Sequence, residues 1–171
     1  MTGSFLIEPL SGVHDRRTFD SGNTALDRYF REQVTQDIRR RITNCFVALD
    51  PEARLAGYYT LSAASLPITA LSADEIKRLP RYPLLPAGLI GRLAVDRRFQ
   101  GQGLGGSLIV DAIDRAMRAE PAIFTLIADA KDNEAAGFYR HYGFRPLASR
   151  PLSFFLPLAE AARQLKTRKP A

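Results

Sequence analysis

The chain of 171 residues is 46% hydrophobic and 25% charged, within the range of ordinary globular proteins, which excludes disorder as its main state. At this length a single domain over residues 1–171 is expected, because two separate cores would each be small. Lys+Arg 24 against Asp+Glu 18 gives a net charge of +6 and a pI near 9.8, a bias toward polyanionic or phosphorylated partners. One cysteine, Cys45, excludes an internal disulfide, and with two histidines it leaves too few soft ligands for structural zinc, so no metal is expected. The opening MTGSFLIEPL has no basic stretch ahead of a long apolar run, and no apolar run approaches the roughly 18 residues of a membrane span. A cytoplasmic protein without a membrane partner is the expectation.

Phe5 to Leu10 reads as a first strand, and turn residues from Phe19 to Asn23 lead into a helical region. There Leu26, Tyr29, Phe30, Val34 and Ile38 share a face, while Arg28, Arg31, Glu32, Asp37, Arg39 and Arg40 take the others. The region is one amphipathic helix or two. Ile42 to Leu49 and Leu55 to Leu66 read as strands joined through Asp50-Pro51-Glu52, a hairpin. From Pro67 to Pro86 four prolines surround a short helix, Ser72 to Leu79, with Ser72 and Glu75 in capping-box spacing; this segment is expected to leave the sheet. Leu89 to Val95 is a strand, and the helix after it carries an apolar stripe of Leu108, Ile109, Ala112, Ile113, Ala116 and Met117. Ala122 to Ala128 is a strand, Asn133 to Tyr142 a helix closed by Gly143, and Phe154 to Leu156 a last strand. The tail at 163–171 is basic and expected to be flexible. The order of elements implies an α/β (α+β) fold, a mixed, largely antiparallel sheet flanked by helices.

Arg98-Phe99-Gln100-Gly101-Gln102-Gly103-Leu104-Gly105-Gly106 lies between a strand and a helix, where free backbone N–H groups and the helix dipole attract phosphate oxygens. Four glycines in six residues suit close approach of an anion to the backbone. Gly101, Gly103 and Gly106 also satisfy the dinucleotide fingerprint, with Asp129 near the ribose-binding distance. That reading fails, because Asp96 to Gln100 separate the strand from the glycines and only 42 residues follow Asp129. A nucleotide-hydrolase loop needs a lysine before the Ser/Thr; here Gly106 is followed directly by Ser107.

These residues resemble the GNAT N-acetyltransferases, whose motif is Arg/Gln-x-x-Gly-x-Gly/Ala after a central strand. Here it stands as Arg98-x-x-Gly101-x-Gly103 behind Arg92-Leu93-Ala94-Val95-Asp96. A second signature, Asn133-Glu134-Ala135-Ala136-Gly137-Phe138-Tyr139 followed by Gly143-Phe144, comes in the family's order. Phe19-x-x-Gly22-Asn23-x-x-Leu26-x-x-Tyr29-Phe30, Gly57 to Ser62, Leu79 to Pro83 and Gly91 to Asp96 resemble the toxin branch of bacterial type II toxin–antitoxin systems. The resemblance covers roughly residues 5 to 158. It implies an acetyl-CoA-dependent enzyme that acetylates the α-amino group of aminoacyl-tRNA and blocks translation, a small DNA-binding antitoxin as partner, and a homodimer. Acetyltransfer to small amines or protein N-termini is the alternative, and a non-catalytic acetyl-CoA-binding module is the alternative of another class.

Acetyl transfer to an amine needs a neutral amine, stabilisation of a developing oxyanion and a proton for the departing thiolate. The resemblance assigns the thioester carbonyl to the Val95 backbone N–H, with Ala94, Val95, Arg98, Gly101, Gly103, Leu104, Gly105 and Gly106 holding acetyl-CoA. Tyr139 is the proton donor by the same motif: helical spacing turns it away from Phe138 over Ala135 and Ala136, and a phenol stays protonated at neutral pH. Phe138 and Tyr142, at i,i+4, are read as core. Asn133 is read as an N-cap, to which the resemblance adds contact with the pantetheine arm. No general base stands out. His14 and His141 carry no partner signal. Arg39, Arg40, Arg41, Lys77, Arg78, Arg81 and Arg92 are the residues expected to meet an RNA backbone, against the plainer reading of a solvated face.

Overall fold

The computed structural model describes residues 4–168. Its strands are β1 (Leu6–Pro9), β2 (Asn44–Leu49), β3 (Leu55–Pro67), β4 (Leu84–Val95), β5 (Thr125–Asp129), β6 (Arg145–Leu147) and β7 (Arg150–Pro157). They lie in one seven-stranded sheet in the order β1-β2-β3-β4-β5-β7-β6, with β1–β2, β2–β3, β5–β7 and β6–β7 antiparallel. The helices are α1 (Thr24–Arg28), α2 (Val34–Arg39), α3 (Ala73–Lys77), α4 (Leu104–Arg118), α5 (Asn133–His141) and α6 (Leu158–Arg168). The α/β class with a mixed sheet is as expected from the pattern of elements. Two compact units can be distinguished, one built from the chain up to Ser62 and from Ile90–Ala112, the other from Ala63–Leu89 and from Ile113 onward.

In the first unit Asn23 caps α1, its Oδ1 accepting the Leu26 N–H at 3.0 Å. A π-helical turn, Tyr29–Gln33, then joins α1 to α2, closed by the Val34 N–H on the Tyr29 carbonyl. The wider turn brings Tyr29, Phe30 and Val34 to the same buried side, which resolves the choice between one helix and two. Phe30 and Tyr58 stack with centroids 4.2 Å apart, and Phe19 meets both edge-on at 4.9 and 5.6 Å. Helix α2 ends on Arg41 with φ +60, the Ile42 N–H reaching back to the Asp37 carbonyl and the Arg41 N–H to that of Ile38. Ile42 therefore belongs to this cap and is exposed, so β2 starts at Asn44 rather than at Ile42.

The second unit has its own core of Leu66, Leu71, Leu85, Ala87, Ile127, Leu147 and Phe155. The proline-rich segment is part of it. Ser72 caps α3, accepting the Glu75 N–H, the Ile68 N–H closes the segment on the Pro83 carbonyl, and Leu71, Ile76 and Leu79 pack on the core. Strand β4 accordingly begins at Leu84, five residues before the apolar pattern suggests. Gly143 ends α5 with φ +91, where a Cβ would lie 2.6 Å from the Gln164 Oε1 of α6. That helix replaces most of the expected tail: Leu158 and Ala161 are buried, and Glu160 pairs with Arg145. Residues 169–171 lie outside the described residues.

Candidate active site

In the first unit β4 runs into a 3₁₀ turn, Arg97–Phe99, and then into the glycine loop. The Asp96 carboxylate, 1% exposed as a residue, organises this join. It accepts the Arg98 N–H at 2.9 Å, the Asp20 N–H at 3.0 Å and the Arg98 guanidinium at 3.0 and 3.3 Å. Burial pushes its carboxyl up, but these donors outweigh burial and hold it below the usual carboxylate value. Arg98, expected at the cofactor, is thus fixed at its base by Asp96, and its own charge is reinforced. Gln100 donates to the Val95 carbonyl at 2.9 Å and to the Ser21 carbonyl at 3.0 Å, tying the loop to the end of β4.

Gly101 and Gly103 both have φ +79, and a Cβ at either would meet nothing within 4 Å. Backbone conformation, not crowding by the protein, demands glycine there. The Ser107 N–H closes the first turn of α4 on the Gly103 carbonyl, so the N–H groups of Leu104, Gly105 and Gly106 precede the helical ladder. Fifteen residues of aligned peptide dipoles in α4 stand behind them. The helix is anchored by Leu104, Leu108, Ile109, Ala112, Ile113 and Ala116, whereas Met117, placed on that stripe by spacing, is 48% exposed. Gly57 of β3 allows this packing, since its Cβ would lie 3.0 Å from the Ala94 carbonyl and 3.3 Å from Leu104 and Leu108.

The same unit holds Arg39, Arg40 and Arg41 exposed at the end of α2, and Arg92 exposed on β4. The Arg92 guanidinium lies 3.4 Å over the ring of Tyr29, whose hydroxyl donates to Asp37 at 2.8 Å. Burial and the Asp37 bond push the Tyr29 phenol far up, so it stays neutral beneath the cation.

In the second unit Tyr139 is 5% exposed, while Phe138 and Tyr142 are only half-buried. This reverses the sequence expectation: Tyr139 packs against Phe144 and Phe154, which come from beyond the helix and could not be placed by helical spacing. Its hydroxyl has no hydrogen-bond partner among the described residues, and no polar side-chain atom there is both wholly buried and unpartnered, so the hydroxyl reaches solvent. Burial first, then the charge of Asp129, pushes the phenol up to about 12. Asn133 is exposed and is the first residue of α5, not its cap; Asp132 is the cap, accepting the Ala135 N–H at 2.8 Å. Lys77, Arg78 and Arg81 are exposed at and after the end of α3. Among the described residues no cluster could hold a metal ion.

A family model described as an acetyltransferase (GNAT) domain matches residues 41–146, from the end of α2 through the glycine loop and α5. The chain belongs to the GNAT acetyltransferases. Among GNAT proteins it is similar to a tRNA-acetylating toxin of Mycobacterium tuberculosis, 32% identical, the match covering 94% of this chain and 96% of the relative. It is also similar to a solved structure of AtaT complexed with acetyl-methionyl-tRNAfMet, at 29% identity and TM-score 0.86, covering 95% of this chain and 99% of that one. A third likeness is a Tyr-to-Phe mutant of the AtaT toxin bound to the C-terminus of the antitoxin AtaR and acetyl-CoA, at 26% identity and TM-score 0.79, covering 95% and 99%.

Several positions that shape this GNAT loop escape motif reading. Asp96 and Gln100 lie inside the quoted motif segments but receive no role from them, and their importance lies in contacts to Asp20 and Ser21, more than 70 residues away. Gly57 gives a weak signal, a glycine inside an apolar strand, which is the mark of a close backbone approach. His14, read as partnerless, bonds through both ring nitrogens: Nδ1 accepts the Ser11 N–H and Nε2 meets Glu8 at 2.7 Å.

Proposed function

We propose that this chain acetylates the α-amino group of an aminoacyl-tRNA with acetyl-CoA as donor, and so acts in the cytoplasm as a translation-blocking toxin held in check by a small DNA-binding antitoxin. The observation that carries this reading is the near end-to-end similarity to a tRNA-acetylating toxin, 32% identical over 163 residues. Among the described residues no helix is long and apolar enough to cross a membrane. A homodimer belongs to the same reading.

The roles follow from the chemistry. The N–H groups of Leu104, Gly105 and Gly106, with the open backbone at Gly101 and Gly103, receive the pyrophosphate of acetyl-CoA, and Arg98 adds a cation fixed by Asp96. The backbone at Ala94 and Val95 lies along the thioester, and the Val95 N–H stabilises the oxygen that becomes negative when the amine attacks. As the new C–N bond forms and the C–S bond breaks, Tyr139 gives its proton to the thiolate, and the amine loses one to water. An α-amine, with a pKa near 8, is partly neutral at physiological pH without a strong base. Asn133 contacts the pantetheine arm. Arg39, Arg40, Arg41 and Arg92, and separately Lys77, Arg78 and Arg81, meet the RNA backbone.

The test is acetylation of charged tRNA by labelled acetyl-CoA, with nuclease digestion and mass spectrometry of the aminoacyl-adenosine. N-acetylated aminoacyl-adenosine is the expected product. Labelling of free amines or peptide N-termini without dependence on tRNA would move the substrate to small amines or proteins. Acetyl-CoA binding with no product would make the chain a non-catalytic binding module.

A further inference from the structure

Outside the acetyl-transfer machinery, the first unit holds an open cavity of about 430 Å³ lined by, among others, His14, Asp15, Arg16, Arg17 and Arg31. Its three guanidiniums are not equivalent. Arg17 is spent on Asp15, at 3.0 and 2.9 Å from the two carboxylate oxygens, an exposed pair that cancels its own charge. Arg16 and Arg31 are held differently, each by a backbone carbonyl at 2.6 Å, that of Phe30 and that of Phe19 respectively. Among the described residues neither has a carboxylate within ion-pair distance. Both anchoring carbonyls belong to the buried aromatic cluster, and the Arg16 guanidinium also sits 5.8 Å over the Phe30 ring.

A guanidinium docked on a neutral carbonyl is immobilised without being neutralised. The rotamer entropy that an arginine loses on binding an anion is already lost here, and each keeps four of its five N–H donors for a ligand. We propose that Arg16 and Arg31 form a preorganised phosphate site, and that the phosphate is one of the substrate RNA backbone; this rests on the function proposed above. The cavity has room for a phosphate with its sugar. Arg31 stands on the π-helical turn that runs on through α2, past Glu32 and Asp37, to the exposed Arg39, Arg40 and Arg41, so the same helical run places arginines at the cavity and again at its end. Paired guanidiniums match phosphate oxygens better than ammonium groups do.

The experiment compares the parent with an Arg16→Gln/Arg31→Gln double variant, in which an amide N–H can still reach for the anchoring carbonyl. KM for charged tRNA should rise about tenfold, and the log–log salt slope of tRNA binding should fall by about 0.7–0.9, the share of the one phosphate that the variant no longer neutralises. KM for acetyl-CoA and kcat should stay as in the parent. An unchanged slope in a variant with the parent's melting temperature overturns the proposal. A variant that does not fold is replaced by the parent itself: the Arg16 and Arg31 side-chain N–H resonances should shift on adding tRNA. A shift with inorganic phosphate but none with tRNA refutes an RNA ligand, and so does lost affinity for an acidic peptide with tRNA binding intact. Should the parent acetylate no charged tRNA, the proposed function fails, while the salt slope with uncharged tRNA still decides the cavity.

Discussion

Replacing Tyr139 with Phe separates chemistry from packing more cleanly than any other single change. The ring contacts with Phe144 and Phe154 survive, and the deleted hydroxyl has no partner among the described residues, so folding stability should change by less than about 1 kcal/mol. If Tyr139 protonates the thiolate, single-turnover acetyl transfer should slow by about 10²–10⁴-fold, or about 2.7–5.4 kcal/mol of barrier. Affinity for acetyl-CoA should hold within about twofold, because a group used only in the transition state contributes little to ground-state binding. The phenol held up to about 12 adds a second readout. Its proton is present across the range where an α-amine with a pKa near 8 becomes nucleophilic, so the rate should rise through about pH 8 and show no phenol limb near 10. Stability carries the same signature: a folded pKa raised from 10 to about 12 stabilises fully below pH 10 and is lost between pH 10 and 12. The phenylalanine variant should lack that share of the alkaline loss, about 2–3 kcal/mol. A variant turning over at the parental rate refutes the assignment, and water or another group then protonates the thiolate.

Gly103→Val places a β-branched residue at φ +79 and should weaken acetyl-CoA binding at least tenfold by calorimetry, while Gly103→Ala, strained by the same φ but without β-branching, should weaken it less than Val. Asp96→Asn should lower stability by about 2–4 kcal/mol in denaturant melts, since it removes the buried partner of Arg98. The Asp96 share of parental stability, present above the unfolded carboxyl pKa near 3.9, should vanish as pH falls through its lowered folded value. Arg41→Gly should act in opposite directions: relief of φ +60 should stabilise α2 by about 1 kcal/mol, while binding of charged tRNA weakens and its salt slope falls by about 0.7–0.9. An Arg41→Gly protein that binds charged tRNA like the parent excludes that side chain from the RNA surface.

The elements that local chemistry dictates were legible from the residues alone. Asn23 and Ser72 cap helices because their side-chain oxygens reach N–H groups two or three residues on, and Gly143 ends α5 because its φ suits glycine. The glycine loop before α4 shows itself through composition, four glycines in six residues at the start of a helix. The toxin-branch resemblance rests on such local motifs, and the similarity over nearly the whole chain agrees with it.

What tertiary structure decided depends on partners distant in sequence. Helical spacing exposed Tyr139 and buried Phe138, but Phe144 and Phe154 cover the opposite side of α5, and so Tyr139 is the buried one. The basic C-terminal segment read as a loose tail, yet α6 forms where Leu158 and Ala161 find apolar cover and Glu160 finds Arg145. Asp132 rather than Asn133 caps α5, a one-residue choice that spacing leaves open because both side chains are competent caps. Arginine shows the limit most plainly. Twenty-four basic residues are visible in the sequence, but only the fold pairs Arg98 with Asp96, stacks Arg92 on Tyr29 and docks Arg16 and Arg31 on neutral carbonyls. Charge is a property of the residue; whether that charge remains for a ligand is set by what the folded chain places beside it.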